Sequence, residues 1–208
     1  MSTSKGIPKK PDTEPAHLHP ASESMNQDEM IRLKAMHLAP YIQLATALIG
    51  KRRHSGGNMF RHQIDTFAIL MDYGYIDSIL LKASVVHDLF EDLPGFDRNR
   101  ILEIDDESEE VYKLVLEVTK RPVETKVEFL TRIHDYGSHR ALVLKSADRI
   151  SNMISLGYVT DMAFIKRYTD ETEKHLFPIA AKANADMYNE LVELVRTRRS
   201  FMETGMEI

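Results

Sequence analysis

From Asn26 to about Arg198 the apolar residues of this chain recur every three or four positions, and strand-like alternation is nearly absent. That period marks one face of a helix. MIRLKAMHL, PYIQLATALIG, DTFAILMDYG, DSILLKASVVHDLFED, SEEVYKLVLEVTK, VEFLTRIHDYG and SHRALVLKSADRISNMISLG follow one another with short polar breaks. A last helical stretch runs from Asp161 to about Arg198 with one interruption, at Pro178. Asn26 with Glu29 predicts a capping box, Gly50 and Gly74 predict helix stops, and Asp77 predicts the N-cap of a helix that ends before Pro94. KRRHSGGNMFRH reads as a loop rich in glycine and basic residues. The expectation is an all-α single domain, a helical bundle with short loops.

At 208 residues the chain is long enough for one sizeable core. We place the domain at 26–200, with tails at 1–25 and 201–208. The first tail carries Pro8, Pro11, Pro15 and Pro20 and too little apolar surface to offset chain entropy, so it reads as disordered. Its His17 and His19 read as solvated. A formal charge of −5 argues against nucleic-acid partners and against a basic membrane-binding surface. No stretch is apolar for long enough to span a bilayer, and no signal-peptide core is present. The absence of cysteine fits a reducing cytoplasm, which is the predicted location.

The chemistry gathers at ILLKASVVHDLFEDLPGF, where an apolar run leads into His87, Asp88, Glu91 and Asp92. On one continuous helix these four would share an arc of about 140°. Three carboxylates so close at a helix C-terminus repel one another and oppose the macrodipole. Such a cluster is either a solvated helix end or a cation site, and partners elsewhere in the chain decide. His62, after the glycine loop, is one candidate. Asp148 is another, on a helix where Lys145, Asn152 and Ser155 share its polar stripe of roughly 80°. A polar stripe on an otherwise apolar helix needs solvent, a function or a full set of hydrogen bonds.

Taken together, His62, His87-Asp88 and Asp148 resemble the H…HD…D metal signature of the HD superfamily of phosphohydrolases. RRHSGGNMFRH, VVHDLFED, LEVTK and LKSADRISNM are similar to the signature stretches of the alarmone hydrolase domain. That domain occurs in bifunctional Rel/SpoT enzymes and in stand-alone small alarmone hydrolases, and this chain looks most like the stand-alone type. DETEKHLFPIAAK is similar to the family's closing helices, so the resemblance runs from about Asp28 to Arg198.

The resemblance implies a hydrolase that removes the 3′-pyrophosphate of (p)ppGpp with Mn2+. It implies His62, His87, Asp88 and Asp148 as metal ligands, a mixed nitrogen and oxygen set that also suits Fe or Zn. It implies Glu91 and Asp92 as catalytic carboxylates that position and deprotonate a water. Arg52, Arg53, His54 and Ser55 match the segment bordering the nucleotide, and Lys145, Asn152 and Ser155 lie where substrate contacts are expected. The implied partner is a small nucleotide, and a homo-oligomer is left open.

Departures from the pattern fall on the nucleotide side. Asn58-Met59 stands where the family usually has Pro-Tyr, Leu48 replaces a histidine of the preceding helix, and Ile154 replaces an arginine. Hydrolysis is therefore better supported than guanine specificity. An adenine alarmone such as ppApp, NADPH at its 2′-phosphate, or a nucleoside monophosphate stay open as substrates.

Overall fold

The computed structural model describes residues 26–204, so the readings for the tail at 1–25, with His17 and His19, lie outside the described residues. In chain order the helices are α1 (Gln27–Ala35), α2 (Ala39–Ala45), α3 (Met59–Asp72), α4 (Ser78–Ser84), α5 (Leu89–Asp92) and α6 (Asn99–Leu102). Then come α7 (Ser108–Val118), α8 (Lys126–Tyr136), α9 (His139–Ser155), α10 (Met162–Glu171), α11 (Phe177–Ala183) and α12 (Ala185–Thr204). Among the described residues there is no strand, only an isolated antiparallel bridge between Arg52 and Asn58. The chain is all-α, as its period predicts. No described helix is long and apolar enough to cross a membrane.

The bundle is built round α9. Eleven of its 17 residues are buried, among them Leu142, Val143, Leu144, Ala147 and Ile150. It packs on α3, α7, α11 and α12, so it has almost no solvent face. Its buried polar residues must therefore be paired by other elements. Ser138 caps it, its hydroxyl accepting the Ala141 amide at 3.2 Å. Asn26 and Glu29 form the expected capping box on α1.

Three segments depart from the reading of the sequence. DSILLKASVVHDLFED is not one helix: it stops at Ser84, resumes as α5, and crosses Val85–Asp88 in tight turns. There the Val86 amide bonds the Ala83 carbonyl and the Leu89 amide the Val86 carbonyl, both at 3.1 Å and both three residues back. The cause is local: the His87 ring takes the Ser84 carbonyl at 2.7 Å, competing with the helical ladder. Second, α3 starts at Met59, so His62 lies inside a helix and not after a loop. Asn58 caps it, accepting from the Arg61 amide at 2.9 Å.

Third, Pro178 does not interrupt the helix. A π turn, Thr172–Leu176, precedes it and places the proline in the first turn of α11, where no amide is needed. The break comes instead at Asn184, whose backbone is extended and whose side chain caps α12 through the Asp186 and Met187 amides. The short α6, which buries Ile101, has no counterpart among the sequence expectations.

Candidate metal centre

Helices α3 and α9 and the turn after α4 bring three segments, far apart in the chain, to one buried point. One ligand atom each from His62, His87 and Asp148 lies within 4.8 Å of the others. His62 Nε2 is 3.0 Å from Asp148 Oδ1, and all three residues are buried. Asp88 joins through Oδ2, which is 3.2 Å from His87 Nε2 and 3.5 Å from His62 Nε2. The structure thus brings together the four residues that the resemblance names as ligands.

The ring nitrogens facing away are held. His87 Nδ1 is 2.7 Å from the Ser84 carbonyl, which can only accept, so the proton of the neutral ring sits on Nδ1. Its Nε2 is then a bare lone pair, buried and without a hydrogen-bond partner. Asp88 Oδ2 is near enough to Nε2 but poorly aligned, and it has no proton to offer when ionised. His62 Nδ1 rests on Ser151 Oγ at 2.9 Å. Such outer hydrogen bonds fix ring orientation in metal sites.

A divalent cation fits this set. Two ligands at right angles, each about 2.1 Å from an ion, are about 3.0 Å apart. The His62–Asp148 and His87–Asp88 separations match that spacing. A hydrogen bond would account for the first pair equally well, but nothing in the protein accounts for His87 Nε2. Charge points the same way. Lys145 Nζ contacts Asp148 Oδ2 at 2.6 Å, and Lys145 and Lys51 are two ammonium groups against four neighbouring carboxylates. Burial works to raise Asp148, yet Lys145 and His62 outweigh it and hold the carboxyl well below the usual range.

Glu91 and Asp92 flank the centre on α5. Both carboxyls are pushed up, first by the protein packed round them, then by Asp88. Glu91 is exposed and turns its Oε1 to the Lys120 amide at 2.5 Å, which ties the end of LEVTK to the site. Asp92 is half-buried, and Lys51 opposes the rise in its pKa.

The basic loop lies over the far end of α9. Arg53 reaches Asn152 Oδ1 at 2.8 Å and Ser155 Oγ at 3.1 Å, and Asn152 in turn donates to Asp148 Oδ1 at 2.6 Å. Loop and centre are therefore one hydrogen-bonded chain. Arg52, His54 and Ser55 edge a cavity of about 250 Å³ with Met59, Phe164 and Tyr168. His54 meets Phe164 at a tilt of 56° with ring centres 4.4 Å apart, and Phe164 stacks on Tyr168 at 5.6 Å. Sequence reasoning missed these two aromatic residues, and also Ser151 and Gln63. Ser151 follows Asp148 by three positions, a spacing that would have drawn it in. Phe164 and Tyr168 follow each other by four, which reads equally well as core.

No family model matches the chain, and no curated protein does. A solved structure of a metazoan ortholog of SpoT, described as hydrolysing ppGpp and acting in starvation responses, is similar over 77% of this chain and 94% of its own, with a TM-score of 0.64 and 23% identity. At that identity the likeness establishes the shared helical fold.

Proposed function

We propose that this chain is a divalent-metal-dependent phosphohydrolase that removes the 3′-pyrophosphate from (p)ppGpp or a related alarmone such as ppApp. The observation that carries the reading is His87 Nε2, a buried lone pair aimed at two carboxylates and a second imidazole with no protein partner. The ppGpp hydrolysis described for the SpoT ortholog of like fold supports the choice of substrate. The catalytic domain is placed at residues 26–200, acting on a soluble nucleotide in the cytoplasm.

His62, His87, Asp88 and Asp148 would hold the cation, with Mn2+ the leading choice and Fe or Zn compatible with the ligand set. When bound, it acidifies water and offsets phosphate charge. Glu91 and Asp92, both with raised carboxyls, are the proton acceptors for the attacking water. Water adds to the 3′-linked phosphorus, the bond to the ribose 3′ oxygen breaks, and pyrophosphate leaves while that oxygen takes a proton. Lys145 holds Asp148 in register, and Arg53 with Asn152 and Ser155 links the loop to the centre. Arg52, His54 and Ser55 stand at the mouth of the aromatic cavity, suited to phosphate and base contacts.

A second reading rests on Asn58-Met59. Asn58 spends its side chain capping α3, and Met59 lines the aromatic cavity. A thioether beside stacked rings grips many bases alike. That favours a broad nucleotide phosphatase, including one acting on NADPH or a nucleoside monophosphate. The deciding experiment incubates the Mn2+-, Fe2+- and Zn2+-loaded protein with ppGpp, ppApp, NADPH and deoxynucleotides, and identifies the products. Pyrophosphate released from ppGpp, with ppApp cleaved within about an order of magnitude of it, is expected. Phosphate released only from NADPH or monophosphates would replace the first reading by the second.

A further inference from the structure

Among the described residues two buried side-chain atoms have no hydrogen-bond partner, and the second is Oε1 of Gln63. Gln63 is fully buried on α3, next in sequence to His62. Its Nε2 donates to Asp88 Oδ2 at 2.8 Å. That is the same oxygen that lies 3.2 Å from His87 Nε2 and 3.5 Å from His62 Nε2. An ionised carboxylate only accepts, so the amide nitrogen must face it and the amide oxygen is turned away.

This arrangement costs stability. A buried carbonyl without a donor loses its hydration and gains nothing in return, and a leucine of similar size would avoid the loss. Folding therefore does not explain a glutamine here. What the amide does to Asp88 explains it. Asp88 stands at the end of the tight turns, only part-buried, beside the like charges of Glu91 and Asp92. The Gln63 amide is the one donor hydrogen-bonded to its side chain among the described residues.

We propose that Gln63 is a positioning residue of the metal centre, holding Asp88 Oδ2 toward the point on which His62, His87 and Asp148 converge. This rests on the reading of that point as a divalent-cation site. The test compares wild type with Gln63→Leu and Gln63→Met, which keep volume and remove the donor. Mn2+ affinity is measured by electron paramagnetic resonance of the free ion, and thermal stability is measured without metal. Both variants should bind Mn2+ about tenfold or more weakly, since outer hydrogen bonds contribute on that scale. Their metal-free melting temperatures should stay near wild type, because losing the unpaired carbonyl offsets losing the hydrogen bond to Asp88. Unchanged Mn2+ affinity in both variants would overturn the proposal, and so would a weakened affinity that only accompanies collapse of the metal-free fold in both, which marks a packing role. A wild-type protein that binds no Mn2+, Fe2+ or Zn2+ would instead remove the metal reading beneath it.

Discussion

At the scale of single residues the proposed reading separates the site into groups that would hold a cation and groups that would act on water. On the proposed reading Glu91 and Asp92 lie outside the ligand set, so their loss should leave the metal in place. Glu91→Gln and Asp92→Asn should each cut turnover about 100-fold or more while Mn2+ content by elemental analysis stays near wild type. Wild-type turnover in both variants would take the proton-accepting role from them. Arg52 is exposed at the cavity mouth, whereas Arg53 is already bonded to Asn152 and Ser155. Arg52→Ala should therefore act on binding, with KM rising more than kcat falls and kcat/KM dropping about ten- to a hundred-fold, the size of a charge-assisted phosphate contact. A fall confined to kcat would place Arg52 elsewhere in the reaction.

At the scale of elements, much was legible where a helix carries its own cap and apolar stripe, as in α8 and α9. The boundaries that failed are those set by side chains acting on backbone. Nothing in ASVVHD announces that an imidazole will take the Ser84 carbonyl, yet that bond ends α4 and sets His87. Asn58 was a readable cap, masked by the glycine loop before it. Pro178 was readable as a break only so long as the π turn was unforeseen. The site residues were legible as types and spacings, whereas Gln63 was not, since a lone glutamine in a helix carries no signal until its partner is seen. The connection from α7 to α8 offers a test of its own. Arg132 grips both carboxylate oxygens of Glu124 at 2.7 and 3.1 Å and also bonds the Glu117 and Thr119 carbonyls, closing the end of α7. The Arg132 guanidinium holds the Glu124 carboxyl down at about 2, against an ordinary value of 4.5. A carboxyl lowered on folding adds stability that is fully present above the ordinary value and is lost as pH falls toward the folded one. Glu124→Gln should cost about 1.5–3 kcal/mol at neutral pH and little at pH 2, read by urea unfolding across that range. An equal cost at both pH values would show that the pair contributes through packing alone.

At the scale of the whole molecule, a cation that binds only the folded chain stabilises all of it. At a hundredfold excess over its Kd the gain is about 2.7 kcal/mol, or roughly 5–10 °C in Tm for a domain of this size. Calorimetry with Mn2+ and then with chelator should show that shift and its reversal. Asp148→Ala should abolish the shift, because Asp148 is the one converging carboxylate on the central helix. A Tm indifferent to metal in the wild type would count against a resident ion.

The tie between Glu91 and the Lys120 amide lies just before an exposed stretch of chain. Val123, three residues on, is 90% exposed in the connection between α7 and α8. A chain opened between Pro122 and Val123 would leave His62, His87 and Asp88 on one fragment and Asp148 with Lys145 on the other. Neither half then owns a complete ligand set. Complementation of the two fragments should be promoted by Mn2+ and abolished by Asp148→Ala in the second fragment, which makes the centre a reporter of its own assembly.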